Sequence, residues 1–180
     1  MRSHAYSLLR TILGSAVNDE LIDANPARIV GADRAKRVHR IRPASVTELG
    51  VLTAAMPDRL ALMVTLASWC ALRFGELTEL RRRDVDLERG VLRVDRGVVR
   101  VDGEVIVGDP KSEAGKRTVA IPPHLLPLLE AHLRRHVDVG PAALLFPAAH
   151  GGHMAPSSLY KVWYPARAKA PICGSQISLA

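Results

Sequence analysis

The sequence predicts a mostly helical α+β domain, with a small antiparallel sheet set between two groups of helices. Three observations lead there. Apolar residues recur at helical spacing over residues 5–22 and 45–80, and in a last block at 122–133 and 156–169. Between the last two blocks, residues 91–121 break into short β-branched segments separated by turn signals. A chain of 180 residues that is 48% apolar can also bury a substantial core.

The elements follow in order. Ala5, Leu8, Leu9, Ile12, Leu13, Ala16 and Val17 form one helical face, extended by Leu21 and Ile22 and stopped by Asn25-Pro26. That stripe is wide for a lone helix, so packing partners beyond it are expected. Residues 28–42 hold Arg28, Arg34, Lys36, Arg37, Arg40 and Arg42 against the single acid Asp33, with no apolar period. Such a run is a linker, either solvated or laid along a phosphate backbone, and composition favours the solvated form.

Ser45-Val46-Thr47-Glu48 has the spacing of a capping box, which starts a helix reaching about Met56. Pro57-Asp58 opens the next, whose buried stripe is Leu60, Met63, Val64, Ala67, Cys70 and Ala71. Gly75–Leu80 forms a short third helix, closed by a polar turn over Arg81–Asp86.

Strands are expected at 91–94, 98–101, 104–107 and 117–121, with Asp102-Gly103 as a hairpin turn. Pro122-Pro123 ends the last strand and starts a helix that turns Leu125, Leu126, Leu128, Leu129 and Leu133 inward. Residues 144–147 suit a short buried strand, and Pro156 to about Lys169 an amphipathic helix.

Composition excludes several classes. No apolar run approaches the roughly 20 residues that span a bilayer, and the first ten residues lack the apolar core of a signal peptide. Cys70 and Cys173 offer neither a disulfide framework nor metal-ligand spacing, so a reducing cytoplasm is the expected compartment. The net charge of +7 favours polyanions, since binding them releases condensed counterions. Arginine accounts for 20 of the 25 basic residues, an excess that genomic base composition also explains.

Three segments then form an ordered set. Ala71-Leu72-Arg73-Phe74-Gly75-Glu76-Leu77 leads to Leu80 and to Arg83-Asp84-Val85-Asp86. Residues 110–122, from Pro110-Lys111-Ser112 to Ala120-Ile121-Pro122, occupy the last hairpin of a three-stranded sheet. Leu145-Phe146-Pro147, Gly151 and Trp163–Ala166 come last. This set resembles the catalytic domain of tyrosine recombinases, above all the phage integrases. The likeness runs from about Ser45 to Ala170, and helix 5–22 resembles the last helix of that family's core-binding domain. It divides the chain into a remnant helix of that domain (1–27), a basic linker (28–44), a partial catalytic domain incomplete at its C-terminus (45–170) and an unrelated tail (171–180).

The resemblance assigns roles to individual residues. Arg73 is similar to the first of two arginines that clamp the scissile phosphate, where a planar guanidinium can give two bonds to oxygens that gain charge. The plain alternative is a surface arginine at a helix end. Glu76 is similar to the acid that orients this arginine, although an ordinary helix-surface ion pair has the same spacing. Lys111 resembles the hairpin lysine that enters the minor groove and protonates the leaving 5′ oxygen, with Lys116 as a competitor. Arg37, Arg40, Arg42, Lys116, Arg117, Lys161 and Arg167 are candidate DNA contacts.

The family continues from the Trp163 helix into a His-x-Leu-Arg motif and then the tyrosine nucleophile. Residues 171–180 here read Pro-Ile-Cys-Gly-Ser-Gln-Ile-Ser-Leu-Ala and contain neither. His132-Leu133-Arg134-Arg135 fits His-x-x-Arg but lies too early, so His132 and His136 are read as the polar face of their helix. As a pair they could hold a metal, but no third ligand accompanies them. His150 and His153 are read as loop residues. Tyr160 and Tyr164 precede the missing motif, which suits a structural role better than nucleophilic attack, and Tyr6 lies in the first helix.

In an intact relative the tyrosine attacks a DNA phosphate, and another strand's 5′ hydroxyl reverses the step without ATP, metal or other cofactor. The expectation for this chain is an integrase fragment that binds double-stranded DNA and is inactive alone. Further recombinase protomers are candidate partners, and a membrane is not. Three alternatives remain: a regulatory DNA-binding protein, an active recombinase completed by another chain, and a non-functional remnant that scarcely folds.

Overall fold

The computed structural model describes residues 2–32, 43–109 and 115–170. The chain falls into two compact units, residues 1–41 and 42–180. About half of it is helical with a small antiparallel component, as the sequence predicts.

In the first unit, α1 runs over Arg2–Asn18 and ends earlier than the expected 5–22. Glu20 adopts φ 56°, Glu20 N–H donates to the Val17 carbonyl, and Leu21 N–H donates to the Ala16 carbonyl. That pair of bonds with a left-handed residue is a Schellman stop, here without the usual glycine. Asn25, the predicted terminator, instead ties the chain back: its Nδ2 donates to the Arg10 carbonyl at 2.9 Å. Ile29 N–H donates to the Tyr6 hydroxyl at 2.6 Å. Leu8, Leu9 and Ile12 of the predicted stripe are exposed.

In the second unit α2 spans Val46–Ala55 and α3 Asp58–Trp69. The capping box forms as expected, with Ser45 Oγ accepting from Glu48 N–H and the Glu48 carboxylate accepting from Ser45 N–H. α3 is buried more widely than its predicted stripe. Leu62, Thr65 and Leu66 are covered too, because α2, α4 (Phe74–Glu79) and α5 (Leu126–His136) all pack on it. Ala71 is exposed rather than buried, at φ 50°. The left-handed residue redirects the chain so that Leu72 buries and Arg73 emerges.

The sheet differs from the expected run of consecutive strands. β1 (Val85–Asp86), β2 (Val91–Val94) and β5 (Arg117–Ala120) form one antiparallel sheet in the order β1-β2-β5. β3 (Gly97–Val101) and β4 (Glu104–Gly108) form a separate hairpin. Its turn carries Asp102 at φ 51° and Gly103 at φ 87°, the left-handed pair required by the tight turn that the sequence predicts. The break between β2 and β3 falls at Asp95-Arg96, where Arg96 is drawn inward onto buried carboxylates. β2 alternates as a half-buried strand should, with Leu92 and Val94 inward and Arg93 outward.

Pro123–Leu125 is a 3-10 turn that leads into α5, and α6 spans Pro156–Lys169. The core joins Leu52, Met63, Leu77, Leu92, Leu129 and Phe146. Two predicted details of α5 are reversed. Leu128 is exposed, while His132 is buried and donates from Nε2 to the Leu145 carbonyl at 2.8 Å. Residues 144–147 make isolated bridges (Arg81 with Leu144, Pro147 with His153) rather than a strand. The Leu145 carbonyl explains why a histidine is tolerated inside: His132 donates to this buried acceptor, which a leucine could not.

Burial holds the His132 pKa below its ordinary 6.5, with the nearby His136 adding to the effect and the Leu145 bond opposing it. A base whose folded pKa is depressed contributes stability that is present above the unfolded value and lost as pH falls below it. The urea midpoint should therefore decline as pH is lowered from 7.5 to 5.5, and His132→Gln should flatten that decline. Parallel pH profiles for the two chains would refute the assignment.

Candidate phosphate-binding site

Arg73 is the N-cap residue of α4, so its side chain sits where the helix leaves four amides without intrahelical partners. Glu76, three residues on, reaches back. Its Oε2 accepts from the Arg73 backbone N–H at 2.8 Å, and its Oε1 accepts from Arg73 Nη1 at 3.2 Å. The carboxylate is 8% exposed while the Arg73 side chain is 72% exposed. The arginine is thus fixed at its root and open to solvent at its tip.

A second guanidinium shares the same carboxylate. Arg117, at the start of β5, donates from Nη1 to Glu76 Oε1 and from Nη2 to Oε2, both at 2.9 Å. Arg117 Nη1 also donates to the Gly115 carbonyl. Burial pushes the Glu76 pKa up, but the bonds from Arg117 and Arg73 outweigh it and hold the carboxyl below its ordinary range. Two cations around one buried anion leave a net positive group, suited to an oxyanion.

Beside this cluster lies a second network of buried carboxylates. Glu79, one turn along α4 and 1% exposed, accepts from Arg81 Nε at 2.6 Å, Arg96 Nε at 3.1 Å and His153 Nε2 at 2.6 Å. Asp84 is buried as well, accepting from Arg81 N–H and from Arg96 Nη2 through both oxygens. Burial raises the Glu79 pKa, and the bonds from Arg81, His153 and Arg96 more than offset it. His153 is more than the plain loop residue its sequence context suggests. It pins the 147–153 loop to α4, and its carbonyl accepts from Arg100 of β3 at 2.9 Å. The one sequence signal for this network is an acidic residue placed between Leu77 and Leu80, on the side of the helix that packs inward.

The structure brings Arg73, Glu76 and Arg117 together. Lys116, next to Arg117, pairs with Asp109 at 3.0 Å. Lys161 lies exposed on α6 and Arg167 is half-buried, and among the described residues no hydrogen bond or ion pair joins either to the cluster. Lys111, Arg37, Arg40 and Arg42 lie outside the described residues. Tyr160 and Tyr164 are exposed on α6 with ring centroids 5.4 Å apart. No group of His, Cys, Asp or Glu among the described residues is placed to hold a metal ion, and none of the described helices is long and apolar enough to cross a membrane.

Comparison with known proteins places this geometry in context. The sequence model of the phage integrase family matches residues 36–176. The chain is 54% identical over 172 residues to the putative prophage phiRv2 integrase of Mycobacterium tuberculosis, covering 94% of this chain and 46% of that protein. It is 38% identical over 162 residues to the integrase of Mycobacterium phage FRAT1, covering 87% and 48% respectively. The chain therefore spans about half the length of the curated relatives it matches. In fold it is similar to the Tn1549 transposon integrase in complex with a circular intermediate DNA, with a TM-score of 0.72 at 17% identity over 86% of this chain and 53% of the other. It is also similar to a lambda integrase dimer bound to a COC′ core site, with a TM-score of 0.59 at 18% identity over 94% and 45%.

Proposed function

The chain belongs to the phage integrase family of tyrosine recombinases, and from that premise we propose that these 180 residues bind duplex DNA and present one arginine to a backbone phosphate, without carrying out strand transfer alone. The observation behind this reading is the Arg73 side chain, anchored through Glu76 and open at its tip. A donor fixed before the phosphate arrives loses little freedom on binding it, which is how such groups favour developing oxyanions. The solved integrases of similar fold were captured on DNA, which supports DNA as the ligand class here.

The basic residues of 28–42, together with Lys111, Lys116, Lys161 and Arg167, would supply the remaining phosphate contacts. Because such contacts dominate, affinity should be weak and should fall steeply with salt. Fluorescence anisotropy on a labelled duplex at two salt concentrations measures this. Arg73→Ala should lower the slope of log K against log salt by about 0.9, the value for one phosphate contact. No binding at low salt would sink the reading.

Two observations support the proposed inactivity of these 180 residues alone. Neither His-x-Leu-Arg nor a tyrosine beyond it occurs within these 180 residues, and among the described residues no hydrogen bond joins Tyr160 or Tyr164 to the Arg73 cluster. A nicked suicide duplex should therefore yield no protein–DNA adduct that survives a denaturing gel. An adduct mapping to Tyr160 or Tyr164 would overturn this and favour an active enzyme.

A further inference from the structure

We infer that Arg117 is a positioning residue for the Arg73 phosphate clamp, acting through Glu76, and is not itself a DNA contact. The inference rests on reading Arg73 as that clamp, and it reassigns a residue that sequence alone places among the DNA-binding cations.

An ionised carboxylate offers about four lone-pair sites. Glu76 fills them: Oε1 accepts from Arg73 Nη1 and Arg117 Nη1, and Oε2 accepts from the Arg73 backbone N–H and Arg117 Nη2. The parallel pair belongs to Arg117, at 2.9 Å for both bonds. Arg73 keeps a single, longer side-chain bond of 3.2 Å. Its other N–H groups make no bond within the described structure, and its side chain is 72% exposed.

Occupation of the carboxylate by Arg117 has a specific consequence. Arg73 is a long, solvent-exposed cation three residues from a buried anion. With Arg117 absent, the favoured pairing of guanidinium and carboxylate is the two-pronged one, and Arg73 is the nearest partner for it. Closing that pair would draw the guanidinium back onto α4 and remove the donors a phosphate needs. Arg117 prevents this by holding both Glu76 oxygens from the β5 side. It also fixes where the carboxylate stands, because β5 is itself held in register with β2, Arg117 opposite Val94. Lysine cannot replace it, since a single ammonium does not give two parallel bonds in one plane.

The test is a double-mutant cycle on the full 180-residue chain. Anisotropy against a duplex over a range of salt compares wild type, Arg73→Ala, Arg117→Ala, Arg117→Lys and the double alanine variant, each first shown to melt cooperatively. Arg117→Ala and Arg73→Ala should each weaken binding roughly tenfold, as expected for one charge-assisted contact, and each should lower the salt slope by about 0.9. The double variant should be no worse than either alone, and Arg117→Lys should behave as Arg117→Ala despite keeping its charge. Additive losses, with the slope falling by about 1.8, would show that Arg117 contacts DNA independently and would overturn the proposal. So would full activity of the lysine variant in binding, or no effect of Arg117→Ala.

If Arg73→Ala leaves binding unchanged, the clamp reading fails and the role of Arg117 is decided by hydrogen exchange. The Arg73 amide donates to Glu76, so its exchange should quicken in Arg117→Ala; unchanged exchange overturns the positioning role as well. Should Arg117→Ala not fold, Arg117→Gln and Arg117→Lys carry the same comparison.

Discussion

Glu79→Ala is expected to destabilise the second unit by about 3 kcal/mol, a large part of the stability of an ordinary domain. The carboxylate is the common acceptor for Arg81, Arg96 and His153. Its removal leaves three donors with less than they need, and two of them are cations. Breaking a buried charge pair by deleting one partner usually costs about 3–5 kcal/mol. The lower end applies here, because Arg81, Arg96 and His153 keep 16–24% of their side chains in contact with water and Arg96 retains Asp84. Glu79→Gln should cost less, since one acceptor remains. The pH profile provides an internal check. Glu79 titrates below its ordinary 4.5 in the fold, so its stabilising effect is present above that value and lost as pH falls through the folded one. Urea midpoints between pH 7 and 3 should drop more steeply for wild type than for Glu79→Gln. An alanine variant as stable as wild type at pH 7 would refute the role given to this network.

Gly75→Ala should be nearly as damaging, for a steric reason. A β-carbon on Gly75 would lie 2.4 Å from the carbonyl oxygen of Val98. That oxygen belongs to β3, which packs directly on α4, so relief requires moving a strand rather than rotating a side chain. Overpacking of this kind costs about 1–3 kcal/mol, and a backbone obstacle favours the upper end. Gly50 supplies the control. It is also helical, in α2, but a β-carbon added there would meet nothing within 4 Å. Gly50→Ala should stabilise by up to about 1 kcal/mol through helix propensity alone. Opposite signs for the two substitutions in a thermal melt are the expected result; a neutral Gly75→Ala would show that β3 does not sit this tightly on α4. Because Gly75 adjoins Glu76, the variant should also loosen the Arg73 anchor and weaken DNA binding beyond what partial unfolding explains.

What the sequence determined by itself was whatever neighbouring residues decide between themselves. The Ser45–Glu48 box, the Asp102-Gly103 turn, the proline starts at Pro57 and Pro123, and the extent of α6 depend on contacts a few positions apart. A local pattern encodes such contacts completely. The ordered segments around Arg73, Lys111 and Phe146 likewise sufficed to identify the family, since order along the chain is itself sequence information. Tertiary structure alone decided the pairing of strands and the partners of charges. β2 could have paired with β3, its neighbour in the chain, but its buried face and the inward pull on Arg96 give that place to β5. His132 belongs to the polar face of α5 by spacing, yet the Leu145 carbonyl draws it inside. Arg117 and His153 look like solvent-facing residues in sequence. They find Glu76 and Glu79 across 41 and 74 residues, and no local pattern records an acceptor that distant. Which guanidinium stays open to solvent and which side chain is held on a carboxylate is decided by where the fold buries Glu76 and Glu79.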